Sequence, residues 1–133
     1  MAHRTAMIDV GGGFRAIFGA GVMDRMLEDG IMVDHCYGVS AGSANMVSYI
    51  SKQHGRTHKF YTEYAFRKEY ASLDSYIKNH NYANLDYMYS TLSNHDGEYP
   101  VDYEAFAANP TGFTVVACNA EDGSTKYFDK SDV

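Results

Sequence analysis

Gly38-Val39-Ser40-Ala41-Gly42 sets a serine between two glycines in the order G-x-S-x-G. Placed between an apolar run and a helix-like run, this is the setting of a nucleophile elbow. There the serine occupies a sharp, strained turn and its hydroxyl projects above a sheet. Side chains two residues to either side would collide with neighbouring backbone, which is the physical reason for Gly38 and Gly42. A serine that attacks an ester carbonyl creates an oxyanion, and that charge needs backbone N–H donors about 3 Å away. Gly11-Gly12-Gly13, at the end of the preceding strand-like run, can supply them, because amides without Cβ atoms approach closely and point freely. The helix that begins just after Ser40 directs further free N–H groups at a developing negative charge. Together the two motifs make two halves of an acyl-transfer site.

Other chemistries compete for the same residues. Gly11, Gly13 and Ala16 also fit the dinucleotide pattern G-x-G-x-x-G/A after a strand. That reading needs an acidic residue at the end of the second strand, about 20 residues on. Asp29 and Asp34 are near the spacing, but Asp34 precedes the second apolar run, and the run ends in "GVSAGS". A hydrolase triad would run Ser40, Asp86, His95, an order easily met by chance among six histidines, with His95 in the polar, turn-like "SNHDGE". His54 and His58 flank Gly55 and lack a third metal ligand nearby. Cys36 and Cys118 each fall in an apolar strand-like run and read as small buried hydrophobes rather than a disulfide or metal ligands. No cofactor and no metal is expected.

The elements that must position these residues follow from periodicity. Thr5–Val10 reads as a short buried strand ending at the glycines. Phe14–Asp29 reads as a helix with Phe14, Ile17, Phe18, Val22, Met26 and Leu27 at near-helical spacing, stopped by Gly30. A second apolar run within Ile31–Val39 precedes another helical pattern over Ser43–Gln53, closed by Gly55. Strand, helix, strand, helix predicts an α/β domain with a parallel sheet. Between Thr57 and Asn94 seven tyrosines alternate with Leu73, Ile77, Leu85, Met88 and Leu92, the pattern of amphipathic helices packed on the sheet. Some of these residues are also suited to line an apolar substrate pocket. Asp102–Ala108 is a short helix before Pro110, and Phe113–Asn119 a strand paired with Lys126–Asp129 across "AEDGS". Because an α/β sheet seldom finishes on an uncovered hairpin, the 133 residues are expected to be the front part of a longer protein.

Composition bounds the partners. At 45% hydrophobic and 21% charged the chain is globular, and no stretch approaches the roughly 18 apolar residues of a membrane span. A net charge of −6 without a basic cluster argues against a nucleic-acid partner and against attraction to an anionic bilayer. The start "MAHRTAMIDV" is not a signal peptide, so a cytoplasmic protein is expected. Oligomeric state leaves no trace in the sequence.

With both motifs in hand, the sequence resembles the patatin-like phospholipase family. "GGGFRA", Gly11–Ala16, is similar to that family's G-G-G-x-R/K-G oxyanion loop, and "GVSAG" to its elbow. The similarity continues through "GVMDRMLEDGI" and, more loosely, "VDYEAFAANPTGFTVVACNAEDG". The resemblance implies a three-layer α/β/α sandwich with a mainly parallel central sheet, of which residues 1–133 form the N-terminal part. It further implies a lipid acyl hydrolase with a Ser–Asp dyad, acting on a lipid or acyl ester with transient contact at a membrane surface. Ser40 carries over as nucleophile and the amides of Gly12, Gly13 and Phe14 as the oxyanion hole. Arg15 matches the basic position, serving either as an anchor for a phosphate or the loop, or as a solvated arginine. Ala16 departs from the usual glycine. The family's aspartate sits in Asp-Gly-Gly or Asp-Gly-Ala, which neither Asp96-Gly97-Glu98 nor Asp122-Gly123-Ser124 matches; both read as turns. The acid is therefore expected downstream of this chain. The alternative is a non-catalytic lipid-binding or interaction module that keeps the elbow without the acid.

Overall fold

A computed structural model describes residues 4–132. Its first half runs β1 (Ala6–Asp9), α1 (Ile17–Glu28), β2 (His35–Val39), α2 (Ala41–Ile50). After α3 (Arg56–Thr62), α4 (Leu73–Asn79) and a π-helical stretch, Tyr87–Ser93, come α5 (Tyr103–Ala108), β3 (Gly112–Cys118) and β4 (Thr125–Asp129). The strands lie in the order β1-β2-β3-β4; β1, β2 and β3 are parallel and β4 returns antiparallel to β3. This is the α/β class that the strand–helix alternation predicts.

The register puts Met7, Cys36 and Phe113 side by side across the three parallel strands. On that face they meet Met23 of α1, Met46, Tyr49 and Ile50 of α2, and Phe106 of α5 in one hydrophobic core. Burial there pushes the Cys36 thiol up to about 12, so it stays a neutral packing group. Tyr49 keeps its buried hydroxyl satisfied by donating to the Ile31 carbonyl at 2.8 Å.

Local chemistry sets the helix ends. Asp102 caps α5 by accepting from the Ala105 amide at 2.9 Å. Beyond α1, Gly30 at φ 67° donates to Leu27 O, and Ile31 to Met26 O, the paired bonds of a Schellman stop.

Three expectations change. The helix foreseen from Phe14 begins as a single 3₁₀ turn over Gly13–Ala16, which buries Ala16, and α1 buries Ala20 and Met23 while Phe18 stays 80% exposed. Cys118 is exposed, because it ends β3 opposite Thr125 of a strand whose five residues all face solvent. The tyrosine-rich segment does not lie on the sheet. Tyr64, Tyr70 and Leu92 build a second, smaller core with Phe60 and Tyr99. Arg56 fastens that core, donating to Ser48 Oγ, Ser93 Oγ and the carbonyls of Tyr99 and Pro100, with its guanidinium 4.8 Å from the Phe60 ring centroid. No described helix is long and apolar enough to cross a membrane.

Candidate active site

Ser40 adopts φ 53°, ψ −131°, in the left-handed region that non-glycine residues rarely enter, and its residue is exposed. β2 ends one residue before it and α2 begins one residue after it, so the strain sits at a strand-to-helix turn as an elbow requires. A Cβ on Gly38 would come within 2.5 Å of Ser43 Cα, and one on Gly42 would strike the Asp9 carbonyl oxygen. Both flanking glycines are thus demanded by backbone packing. Ser43 Oγ, pressed against Gly38, is buried without a partner among the described residues, a cost of about 1–3 kcal/mol carried next to the serine.

The glycine loop meets this elbow directly. Gly11, Gly12 and Gly13 take φ of 69°, 115° and 60°, three successive left-handed residues that only glycine accommodates cheaply. A Cβ on Gly11 would sit 2.5 Å from Val39 O and 2.9 Å from the amide nitrogens of Ala41 and Gly42. The loop backbone therefore lies against the residues on either side of Ser40. Among the described residues, the amides of Gly12, Gly13 and Phe14 enter no hydrogen bond, whereas that of Gly11 is taken by Asp9 Oδ1 at 2.9 Å. The sequence did not single out Ala41, whose amide opens α2 and faces the loop; its position directly after the serine is the available signal.

Arg15 is exposed, its Nε reaching back to Gly12 O at 3.4 Å. Ala16 is buried at 3% exposure, and its carbonyl accepts from Asn45 Nδ2 at 2.9 Å, so the methyl in place of hydrogen is accommodated. An aromatic wall flanks the loop. The Phe14 ring stands 6.4 Å from Tyr61, edge to face, and 6.3 Å from Tyr70. Burial, aided by Tyr70, Asp9 and Tyr89, pushes the Tyr61 phenol well above its ordinary value and keeps it neutral.

Among the described residues no carboxylate or imidazole hydrogen-bonds Ser40. His95 lies in an exposed turn beside Asn94 and Asp96, and His54 pairs with Glu28 at 3.0 Å, so neither serves the serine. No cluster of metal-ligating side chains occurs among the described residues. Asp122-Gly123 forms the tip of the β3–β4 hairpin, and Asp96-Gly97 sits in the turn that follows the π-helical stretch.

The model of the family described as patatin-like phospholipase matches residues 10–131, from the glycine loop through the last strand. The chain belongs to the patatin-like phospholipase family. A curated relative, "Uncharacterized protein YjjU" of Escherichia coli (strain K12), is 27% identical over 129 residues. The match spans 94% of this chain and 35% of YjjU, so the chain covers about a third of that relative's length. No solved structure matches significantly. The strained serine and the glycine loop lie inside the matched span.

Proposed function

We propose that this patatin-like chain carries the nucleophile and oxyanion-binding half of a serine acyl hydrolase acting on lipid carboxylic esters. Ser40 Oγ attacks the ester carbonyl, its proton passing to an aspartate supplied from outside these 133 residues. The amides of Gly12, Gly13 and Phe14 hold the resulting oxyanion. Collapse breaks the ester C–O bond and the aspartic acid returns its proton to the leaving alcohol. Water, deprotonated by the same aspartate, then cleaves the acyl-serine and frees the fatty acid with Ser40 restored. The Phe14–Tyr61–Tyr70 wall offers the acyl chain an apolar border.

The observation that carries this reading is the strained, exposed Ser40 with the glycine loop packed against both sides of it. A fluorophosphonate probe tests it on the whole protein. Labelling that disappears in Ser40→Ala is expected; no labelling, or labelling unchanged by the substitution, removes the proposal.

A second reading is a lipid-binding module without catalysis, favoured by the absence of a base at Ser40 among the described residues and by exposed Phe66, Leu73, Ile77 and Leu85. It predicts retained binding to phosphatidylcholine vesicles with no release of fatty acid. On either reading contact with a lipid surface is brief, and the site of action is the cytoplasm.

A further inference from the structure

In the register of β1, Met7 and Asp9 share the face that packs against the described helices, while Ile8 lies on the other face. A carboxylate on that packed face must be held by hydrogen bonds, and it holds something in return.

Its partners show what. Asp9 Oδ1 accepts the Gly11 amide at 2.9 Å, at the start of the glycine loop. Asp9 Oδ2 accepts Asn45 Nδ2 at 2.8 Å, and the same Nδ2 also donates to the carbonyl of Ala16, at the loop's far end, at 2.9 Å. Asn45 is 1% exposed and sits on α2, the helix that starts at the elbow; its Oδ1 lies 3.5 Å from the Tyr61 hydroxyl. One carboxylate and one amide thus tie both ends of the loop to the nucleophile helix. Gly19 makes room for them: a Cβ there would lie 2.6 Å from Asp9 Oδ2 and 3.3 Å from Asn45 Nδ2. That accounts for a glycine inside α1, where it otherwise costs about 1 kcal/mol.

We infer that Asp9, acting through Asn45, is a positioning residue that fixes the glycine loop against the Ser40 elbow, so that the Gly12, Gly13 and Phe14 amides stay aimed at the reacting carbonyl. The inference rests on the acyl-hydrolase reading for its purpose, but the latch itself is testable without any activity. By engaging Gly11 N–H, Asp9 also decides which amides of the glycine run are left free. Nothing in the motifs marks this residue.

Amide hydrogen exchange on the whole protein, read by mass spectrometry over residues 10–16 and by NMR at Gly11, compares wild type with Asp9→Asn and Asp9→Ala. Asn keeps one acceptor oxygen and can serve one of the two donors; Ala serves neither. Exchange in the loop is expected to rise at least about tenfold in Asp9→Ala and less in Asp9→Asn, with protection at Cys36 and Phe113 unchanged. Unchanged loop exchange overturns the latch, and loss of protection throughout the sheet overturns it too, by making Asp9 a general fold residue. In parallel, p-nitrophenyl butyrate hydrolysis is expected to fall about 10²–10³-fold in kcat with KM within twofold, as when an oxyanion donor is misplaced. Wild-type protein that neither hydrolyses the ester nor labels with fluorophosphonate defeats the hydrolase reading while leaving the exchange result to decide the latch.

Discussion

The elbow corner, residues 9–16 and 38–45, and the tyrosine-rich excursion, residues 56–100, solve opposite problems. In the corner, backbone packs on backbone: Gly11 on Val39 and Ala41, Gly42 on Asp9, Gly38 on Ser43. In the excursion, side chains clasp one another: Arg56 over Phe60 and Tyr99, Arg67 on Glu98 and Tyr87, Tyr64 against Phe60. Backbone contact leaves no slack for any larger residue, whereas a side-chain clasp can yield by changing rotamers. The corner should therefore be brittle and the excursion tolerant.

Gly42→Ala breaks the comparison most directly if it fails. The added Cβ would overlap the Asp9 carbonyl, a backbone atom that cannot rotate away, so destabilisation of about 3 kcal/mol or more is expected in urea unfolding. Gly21→Ala, on the same helix as Gly19 but with open space around its would-be Cβ, is the control and is expected to be neutral or stabilising. Equal effects from the two substitutions would mean that the close approach at the elbow is not a constraint.

This difference also explains how much was legible in the sequence. Contacts that only glycine permits leave glycines behind, so Gly11, Gly38 and Gly42 announced the corner, while the alternation of apolar runs and helical patterns announced β1, β2 and the parallel order of the sheet. Asp9 and Asn45 were not legible, because a carboxylate and an amide have many uses and only the register of β1 shows where they point. Apolar spacing in the first helix placed Met26 and Leu27 on the core, where they pack, but missed the buried Ala16 and Ala20: the helix comes close enough to α2 for Gly19 to adjoin Asn45, and that approach takes small residues and leaves Phe18 outside. In the excursion, tyrosine is amphipathic and fits either a core or a surface, so the pattern could not tell Tyr64, buried, from Tyr76 and Tyr82, exposed.

Within the excursion the largest effect belongs to Arg56, 4% exposed, whose positive charge burial opposes, lowering its pKa. Arg56→Ala strands the acceptors of Ser93, Tyr99 and Pro100 and is expected to cost about 2–4 kcal/mol, below the elbow's upper range. Arg56→Lys should recover little, since an ammonium cannot reach four acceptors spread over α2, the π-helical stretch and the loop before α5 as the planar fork does. Full rescue by lysine would show that charge rather than geometry holds this core.

Acid should loosen the excursion. The Arg67 guanidinium, 2.6 Å from Glu98, holds that carboxyl below its ordinary value of 4.5. Because the folded value is the lower one, the pair's contribution is complete above pH 4.5 and fades as pH falls through the folded value. Both side chains are well exposed, so the effect is small and weakens with salt. Tyrosine fluorescence, in a chain without tryptophan, follows it. Glu98→Gln is expected to flatten the acid limb, and an unaltered limb would assign it to other carboxylates such as Asp34, which Thr5 holds below its ordinary value.

The smallest effect on folding is expected where the excursion turns outward. Leu73 and Ile77, four residues apart on α4, are 72% and 74% exposed, so they share one helix face and bury little. Replacing both with serine should shift stability by no more than about 0.5 kcal/mol, since surface substitutions remove few contacts. If that face meets lipid, the same double substitution should weaken sedimentation with neutral phosphatidylcholine vesicles several-fold while leaving Ser40 labelling by a soluble fluorophosphonate intact. The charge of −6 makes neutral vesicles the informative choice, because anionic ones would repel the protein whatever the face does. A large loss of stability instead would mean that Leu73 and Ile77 are packed in solution, and the contrast between a brittle corner and a tolerant excursion would fail at its outer edge.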